Sequence, residues 1–137
     1  MYKKILCATD GSDHAQVAVD QAVELARKDG AKLAFVMVNV VTGGPHGPLM
    51  YRWEEPYVAK TLATARTSAE KAGLSEIDVV EIKSRDAAAA VLEYANEQAV
   101  DSIVTGTGDR NALSRLGLGS FAREVAAKAH CSVTVAR

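Results

Sequence analysis

Residues 31–41 read AKLAFVMVNVV, with Lys32 and Asn39 the only polar positions. A run this apolar on both alternating faces, rich in β-branched residues, suits a strand covered from both sides, as strands of a parallel sheet are. The flanking segments agree. Lys4 to Thr9 (KILCAT) is a second short buried strand. Between the two, Ala15 to Lys28 sets Val19, Ala22, Val23 and Ala26 at helical spacing, with Asp20, Gln21 and Glu24 on the other face. Asp13 reads as the cap at its start and Gly30 as its stop.

The rhythm continues downstream. Glu54 to Ala72 reads as a helix ended by Gly73, and Asp78 to Ile82 (DVVEI) as a strand. Asp86 to Gln98, with four alanines at 87–90, reads as a helix and Asp101 to Thr105 (DSIVT) as a strand. A glycine-bearing loop then spans Gly106 to Gly119, before a helix over Ser120 to Ala129 and a last strand over Ser132 to Ala136. Strict alternation of this kind predicts an α/β fold: a doubly wound, five-stranded parallel sheet with four helices and right-handed crossovers. Strand order 3-2-1-4-5 is expected, with one domain over 1–137. Thr42 to Pro56 breaks the rhythm. It holds all three prolines, three of the ten glycines and the single tryptophan, and reads as a long loop that is either a lid, a contact surface or a surface excursion.

Composition narrows the function classes. The chain has 137 residues, 48% of them hydrophobic, which is enough to support one core. Net charge is -1, from 16 Lys+Arg against 17 Asp+Glu, so the basic excess of a general nucleic-acid binder is missing. Aromatics at 5% argue against a stacking platform for single strands. The two cysteines, Cys7 and Cys131, lie in apolar runs and in no CxxC or zinc-like spacing. They read as buried small hydrophobes, with a redox role as the alternative. No apolar stretch reaches membrane-spanning length and the N-terminus carries no signal-like run. A cytoplasmic protein without membrane or nucleic-acid partners is expected.

In a doubly wound sheet, ligands bind beyond the carboxyl ends of the strands where the order reverses. For order 3-2-1-4-5, the loops there are Thr9-Asp10-Gly11-Ser12-Asp13 and Gly106-Thr107-Gly108-Asp109-Arg110. Gly106 and Gly108 permit close backbone approach. Gly119-Ser120 opens a helix whose N–H groups and partial positive charge suit a phosphate, and Ser120 adds a hydroxyl. Arg110 and Arg115 add positive charge. The pattern is an anion site or, on the plainer reading, turn glycines with a capping serine. It is neither a Walker loop, lacking GK[ST], nor a dinucleotide fingerprint.

YKKILCATDGSDHA at the start, DSIVTGTG before the glycine loop and LGLGSFAREVAAKAHCSVTVAR at the end resemble the universal stress protein family over essentially the whole chain. The resemblance implies a fold of the adenine nucleotide alpha hydrolase type. It implies an adenine nucleotide (ATP or AMP, with Mg2+ as an optional companion) bound by a sensor or regulator of the stress response. By that resemblance, Asp10 contacts ribose or a metal, and the backbone of Thr9 and Val40 meets adenine. Gly106, Gly108, Gly119, Ser120 and Phe121 line the phosphate path. Ala8 and Thr105, the strand residues leading into the two loops, and Arg110 complete the set. The ATP-binding branch looks like G-x2-G-x9-G-[S/T]. Here Gly106 and Gly119-Ser120 match, while Asp109 stands at the second glycine, one residue after Gly108. A carboxylate near a triphosphate repels it unless a metal or arginine intervenes.

Catalytic signals are weak. His14 lies near Asp10 and Asp13, where an acid/base role competes with a surface position in a first helical turn. His46 lies in the long loop and His130 at the end of the last helix. No Ser–His–acid set or metal cluster emerges. Two alternatives to the nucleotide-binding regulator stand: a dimeric interaction module that binds no nucleotide, and a slow ATPase using a water near Asp10. The last strand, Ser132 to Ala136, is an edge with an alternating pattern. The resemblance implies that it pairs with a second copy to form a homodimer; a regulatory protein partner stays unnamed.

Overall fold

The computed structural model describes residues 1–108 and 118–137. Its parallel sheet is built on β1 (Lys4–Ala8) and β2 (Lys32–Gly43), paired from Lys4↔Lys32 to Ala8↔Val36. The alternation in β2 distributes its side chains to two cores. Leu33, Phe35 and Met37 face α1 (Asp13–Asp29) and α2 (Glu55–Lys71), joining Ala18, Val19, Ala22, Val58 and Leu62. Val36 and Val38 face the opposite layer with Leu6, Ile103 and Val91. Each large apolar side chain taken out of water contributes roughly 1.5–3 kcal/mol, so two filled faces are what make the two-sided run a central strand.

β4 (Ile77–Ser84) pairs with β2 from Leu33↔Ile77 to Val40↔Ser84. On the other side, β5 (Ser102–Gly106) pairs with β1, and β6 (Ser132–Ala136) pairs with β5. The parallel order β4-β2-β1-β5-β6 is the expected 3-2-1-4-5 counted over the parallel strands. Helices α3 (Ala87–Glu97) and α4 (Ser120–Lys128) complete the second layer.

The sheet has six strands rather than five. Part of the 42–56 stretch forms β3 (Leu49–Tyr51), antiparallel to the far end of β2 through Val41↔Tyr51, Thr42↔Met50 and Gly43↔Leu49. Gly43, at φ +90°, makes the turn possible: a Cβ there would lie 2.1 Å from the Pro48 carbonyl oxygen. Three residues beside a proline- and glycine-rich run are too few to show a period of two.

Other boundaries are corrected too. Ser12, not Asp13, caps α1: its backbone is extended and its Oγ accepts from the Ala15 N–H. Gly30 does end that helix, in the left-handed region at φ +66°. Strand β4 extends beyond 78–82 at both ends. His130 lies past the end of α4. Cys7 is fully buried, whereas Cys131 is half-buried.

Candidate functional site

β1 ends at Ala8 and the chain turns away from β2, to which the Thr9 N–H still donates through the Val36 carbonyl (3.0 Å). The next residues close on themselves. Asp10 Oδ1 accepts from the Ser12 N–H (2.9 Å) and from the Ser12 hydroxyl. This turn sets Ser12 as the cap of α1 and leaves Asp10 Oδ2 facing His14 Nε2 at 4.0 Å. Tyr57, from α2, donates its hydroxyl to the Asp10 carbonyl (2.8 Å). The loop is thereby pinned from three elements.

Across the order reversal, β5 ends at Gly106, packed against the start of α1. A Cβ on Gly106 would lie 2.3 Å from the His14 carbonyl oxygen, so only glycine fits this approach. Gly108 takes φ +74°, which favours glycine. The Gly119 N–H donates to the Thr107 carbonyl (2.6 Å) and draws the two ends of the loop together. Helix α4 then starts with Gly119 as its cap residue and no side-chain cap bond. Its cap residue therefore places no side-chain oxygen over the first N–H groups, and the positive end of the helix suits an anion.

These two loops line one cavity of about 540 Å³. Ala8, Thr9, Asp10, Val40, Thr105, Gly106, Gly108, Gly119, Ser120 and Phe121 all contribute to its wall. Arg110, with Asp109 and Arg115, lies outside the described residues. The volume is within the ~300–1,000 Å³ of ordinary small-molecule sites. Its lining combines apolar side chains, Val36, Val38 and Val40 of β2 with Ala87 and Val91 of α3, with Asp10, the glycines and the α4 start.

Several wall residues lie outside the set expected from sequence. Val36 and Val38 were recoverable, since they lie two and four residues before Val40 on one strand face. Ala87 and Val91 share a helix face at a spacing of four. Arg123, one turn into α4, brings a cation to the wall. Arg52 and Trp53 had no local signal. They follow β3, and their place depends on long-range bonds. The Arg52 N–H donates to the Val40 carbonyl (3.0 Å), and the Arg52 guanidinium lies 4.7 Å from the centre of the Trp53 ring. Lys83 bridges Glu55 beside them at 3.0 Å, and that hydrogen-bonded carboxylate raises the lysine pKa.

Among the described residues, no group of three or more His, Cys, Asp or Glu side chains could hold a metal. No helix there is long and apolar enough to cross a membrane. Burial pushes the Cys7 thiol far up, with the Asp20 charge adding to it, so this sulfur is a packing group rather than a nucleophile.

A parallel sheet with a cavity at its order reversal, walled by two glycine loops and a helix N-terminus, defines a doubly wound α/β protein. Comparison with known proteins narrows the class. The model of the universal stress protein family matches residues 1–137, and the chain belongs to that family. A universal stress protein of Thermus aquaticus, from the region 3' of a sulfhydrylase gene, is 33% identical and is covered, like this chain, over its full length. A universal stress protein solved in complex with cAMP superposes with TM-score 0.79 at 22% identity, over 99% of this chain and 97% of that one. One from Archaeoglobus fulgidus in complex with dAMP gives 0.73 at 24%, over 99% and 98%. At these identities the two structures speak for the fold.

Proposed function

We propose that this chain binds an adenine nucleotide in the cavity between β1 and β5 and acts as a nucleotide-responsive sensor or regulator in the stress response. The observation that carries the reading is the cavity's mixed lining of apolar side chains, a carboxylate and a helix start. The apolar side chains suit a purine, and a helix start with no side-chain cap bond beside two glycines suits a phosphate. Relatives of the same fold hold cAMP and dAMP, both adenine monophosphates, which supports that ligand class.

In this reading the base lies against Val36, Val38 and Val40, with backbone of Thr9 and Val40 at its edge. Asp10 takes a ribose hydroxyl or a cation through its free oxygen. Gly106, Gly108, Gly119, Ser120 and Phe121 follow the phosphates, and Arg123 adds charge at the same end. Ala8 and Thr105 form the floor. ATP fits the scheme when Mg2+ or an arginine offsets the nearby carboxylates.

We further propose a cytoplasmic homodimer joined along β6. Ser132–Ala136 pairs only with β5 among the described strands and leaves its other edge for a second copy. Calorimetry with AMP, ADP and ATP, each with and without Mg2+, tests the binding. Saturable heat with one site per chain is expected; no heat and no thermal shift with any of the three overturns the reading. Sedimentation of the wild type and of Val133→Lys, which charges the edge, tests the dimer.

A further inference from the structure

Asn39 is a buried polar residue on the β2 face that otherwise carries Leu33, Phe35 and Met37, and it is 1% exposed. Burying a primary amide is unfavourable unless its bonds are made. Here they are made, two of them to one residue, Trp53. Asn39 Nδ2 donates to the Trp53 carbonyl (2.9 Å), and the Trp53 N–H donates back to Asn39 Oδ1 (3.0 Å). The second Nδ2 hydrogen goes to Glu81 Oε2 of β4 (3.1 Å). The reciprocal pair imitates a β-sheet rung, yet a side chain supplies one half of it. Together with the Arg52 N–H on the Val40 carbonyl, it fixes residues 52–53 across the end of β2.

Asn39 is not among the residues lining the cavity, whereas Arg52 and Trp53 are. We infer that Asn39 is a positioning residue for the nucleotide site. It holds Trp53, on which Arg52 stacks, so that the pair stands as a fixed wall beside Val40 at the base end. This rests on the adenine nucleotide reading above. The 42–56 excursion is therefore an anchored wall rather than a swinging lid. It is tied down further by β3 and by the Arg85 guanidinium on the Gly43 carbonyl (2.8 Å). A wall preset in its bound position spares the ligand the entropy of ordering it.

Trp53 is the only tryptophan, so its fluorescence reads this segment directly in ligand-free protein. The test compares the wild type with Asn39→Ala, Arg52→Ala and Val19→Ala. Val19→Ala weakens the core under α1, away from the cavity, and serves as the control for general destabilisation. Acrylamide quenching of Trp53 and calorimetric AMP affinity are measured on each, with far-UV circular dichroism as the folding check. For Asn39→Ala, quenching about twofold higher and AMP affinity on the order of tenfold lower are expected. Arg52→Ala, at an exposed side chain, keeps its fold and weakens AMP severalfold. Val19→Ala lowers the melting temperature but leaves quenching and AMP affinity at the wild-type level.

Unchanged quenching in Asn39→Ala overturns the inference, as does raised quenching with unchanged AMP affinity. Should Asn39→Ala not fold, unchanged AMP affinity in Arg52→Ala overturns it. If the wild type takes up no AMP, ADP or ATP, the nucleotide reading fails and takes the positioning role with it. Failure of the quenching arm, with wild-type binding intact, removes the positioning role alone.

Discussion

Gly106→Ala is the sharpest single perturbation. The added Cβ would lie 2.3 Å from the His14 carbonyl oxygen, 2.9 Å from its carbon and 3.3 Å from the Ala15 nitrogen. All three are backbone atoms, so no side chain can swing aside. Favourable non-bonded contacts lie near ~3.5–4.0 Å, and α1 must retreat by roughly 1 Å. Yet α1 is seated by Ala15, Ala18 and Ala22, all buried, and retreat opens that packing. Overpacking of this kind costs about 1–3 kcal/mol, and the rigidity of the partner puts this case at the upper end. At roughly 3–5 °C per kcal/mol for a chain this size, the melting temperature falls by about 6–15 °C. Gly30→Ala is the control. Gly30 has φ +66° but nothing within 4 Å of an added Cβ, so only the left-handed strain of about 1 kcal/mol applies. Differential scanning calorimetry of both variants decides. If Gly106→Ala melts within 2 °C of the wild type, or above Gly30→Ala, the β5–α1 contact does not set the position of the glycine loop.

Ser12→Ala removes the cap of α1 and one of the two donors to Asp10 Oδ1; a loss of about 1 kcal/mol, seen as a melting temperature lower by roughly 3–5 °C, is expected. A thiol reagent added to native protein labels half-buried Cys131 and leaves Cys7 untouched until the chain unfolds. Burial and the Asp101 charge raise the Cys131 pKa, so its labelling rate keeps climbing with pH beyond the range where an ordinary thiol levels off. Cys7 also links stability to pH. Its folded-state pKa is raised, so its contribution is complete below the unfolded thiol's range, near pH 9, and is lost as pH rises above it. Urea titrations above that pH give a decline steeper in the wild type than in Cys7→Ala by about 1.4 kcal/mol per pH unit; equal slopes refute the buried-thiol account.

The parallel strands were legible because each is a run whose partners are forced by its own apolar pattern. β2 shows why: with Leu33, Phe35 and Met37 one way and Val36 and Val38 the other, a central position is the one that satisfies both faces. The site was legible in outline for a topological reason. Order reversal puts Asp10 and Gly106 at adjacent strand ends whatever their side chains do. The wall at 52–53 was not legible, because Asn39 and Trp53 are fourteen residues apart and no period links them. An asparagine in a strand looks like a flaw until its partner is in view. The cap of α1 was misplaced by one residue because Ser12 and Asp13 are both good caps, and the choice depends on Asp10 holding Ser12 through its hydroxyl.

The direction in which a nucleotide would lie follows from which donors are already spent. Helices α1 and α3 start under side-chain oxygens, Ser12 on the Ala15 N–H and Asp86 on the Ala89 N–H, and so offer an incoming anion less. Helix α4 starts at the cavity with glycine as its cap residue. Asp10 divides its carboxylate in the same way. Oδ1 is committed to Ser12, which leaves Oδ2 as the oxygen available to a hydroxyl or cation. Phosphate at α4, sugar at Asp10 and base against Val36, Val38 and Val40 is thus the arrangement in which each ligand group meets a matching group of the protein. Reversal would set the phosphate against valines and the purine against a carboxylate, and would leave the α4 donors to water. In the proposed complex the anion would therefore choose the orientation, while the apolar residues, which accept either face of a flat ring, would contribute affinity without direction.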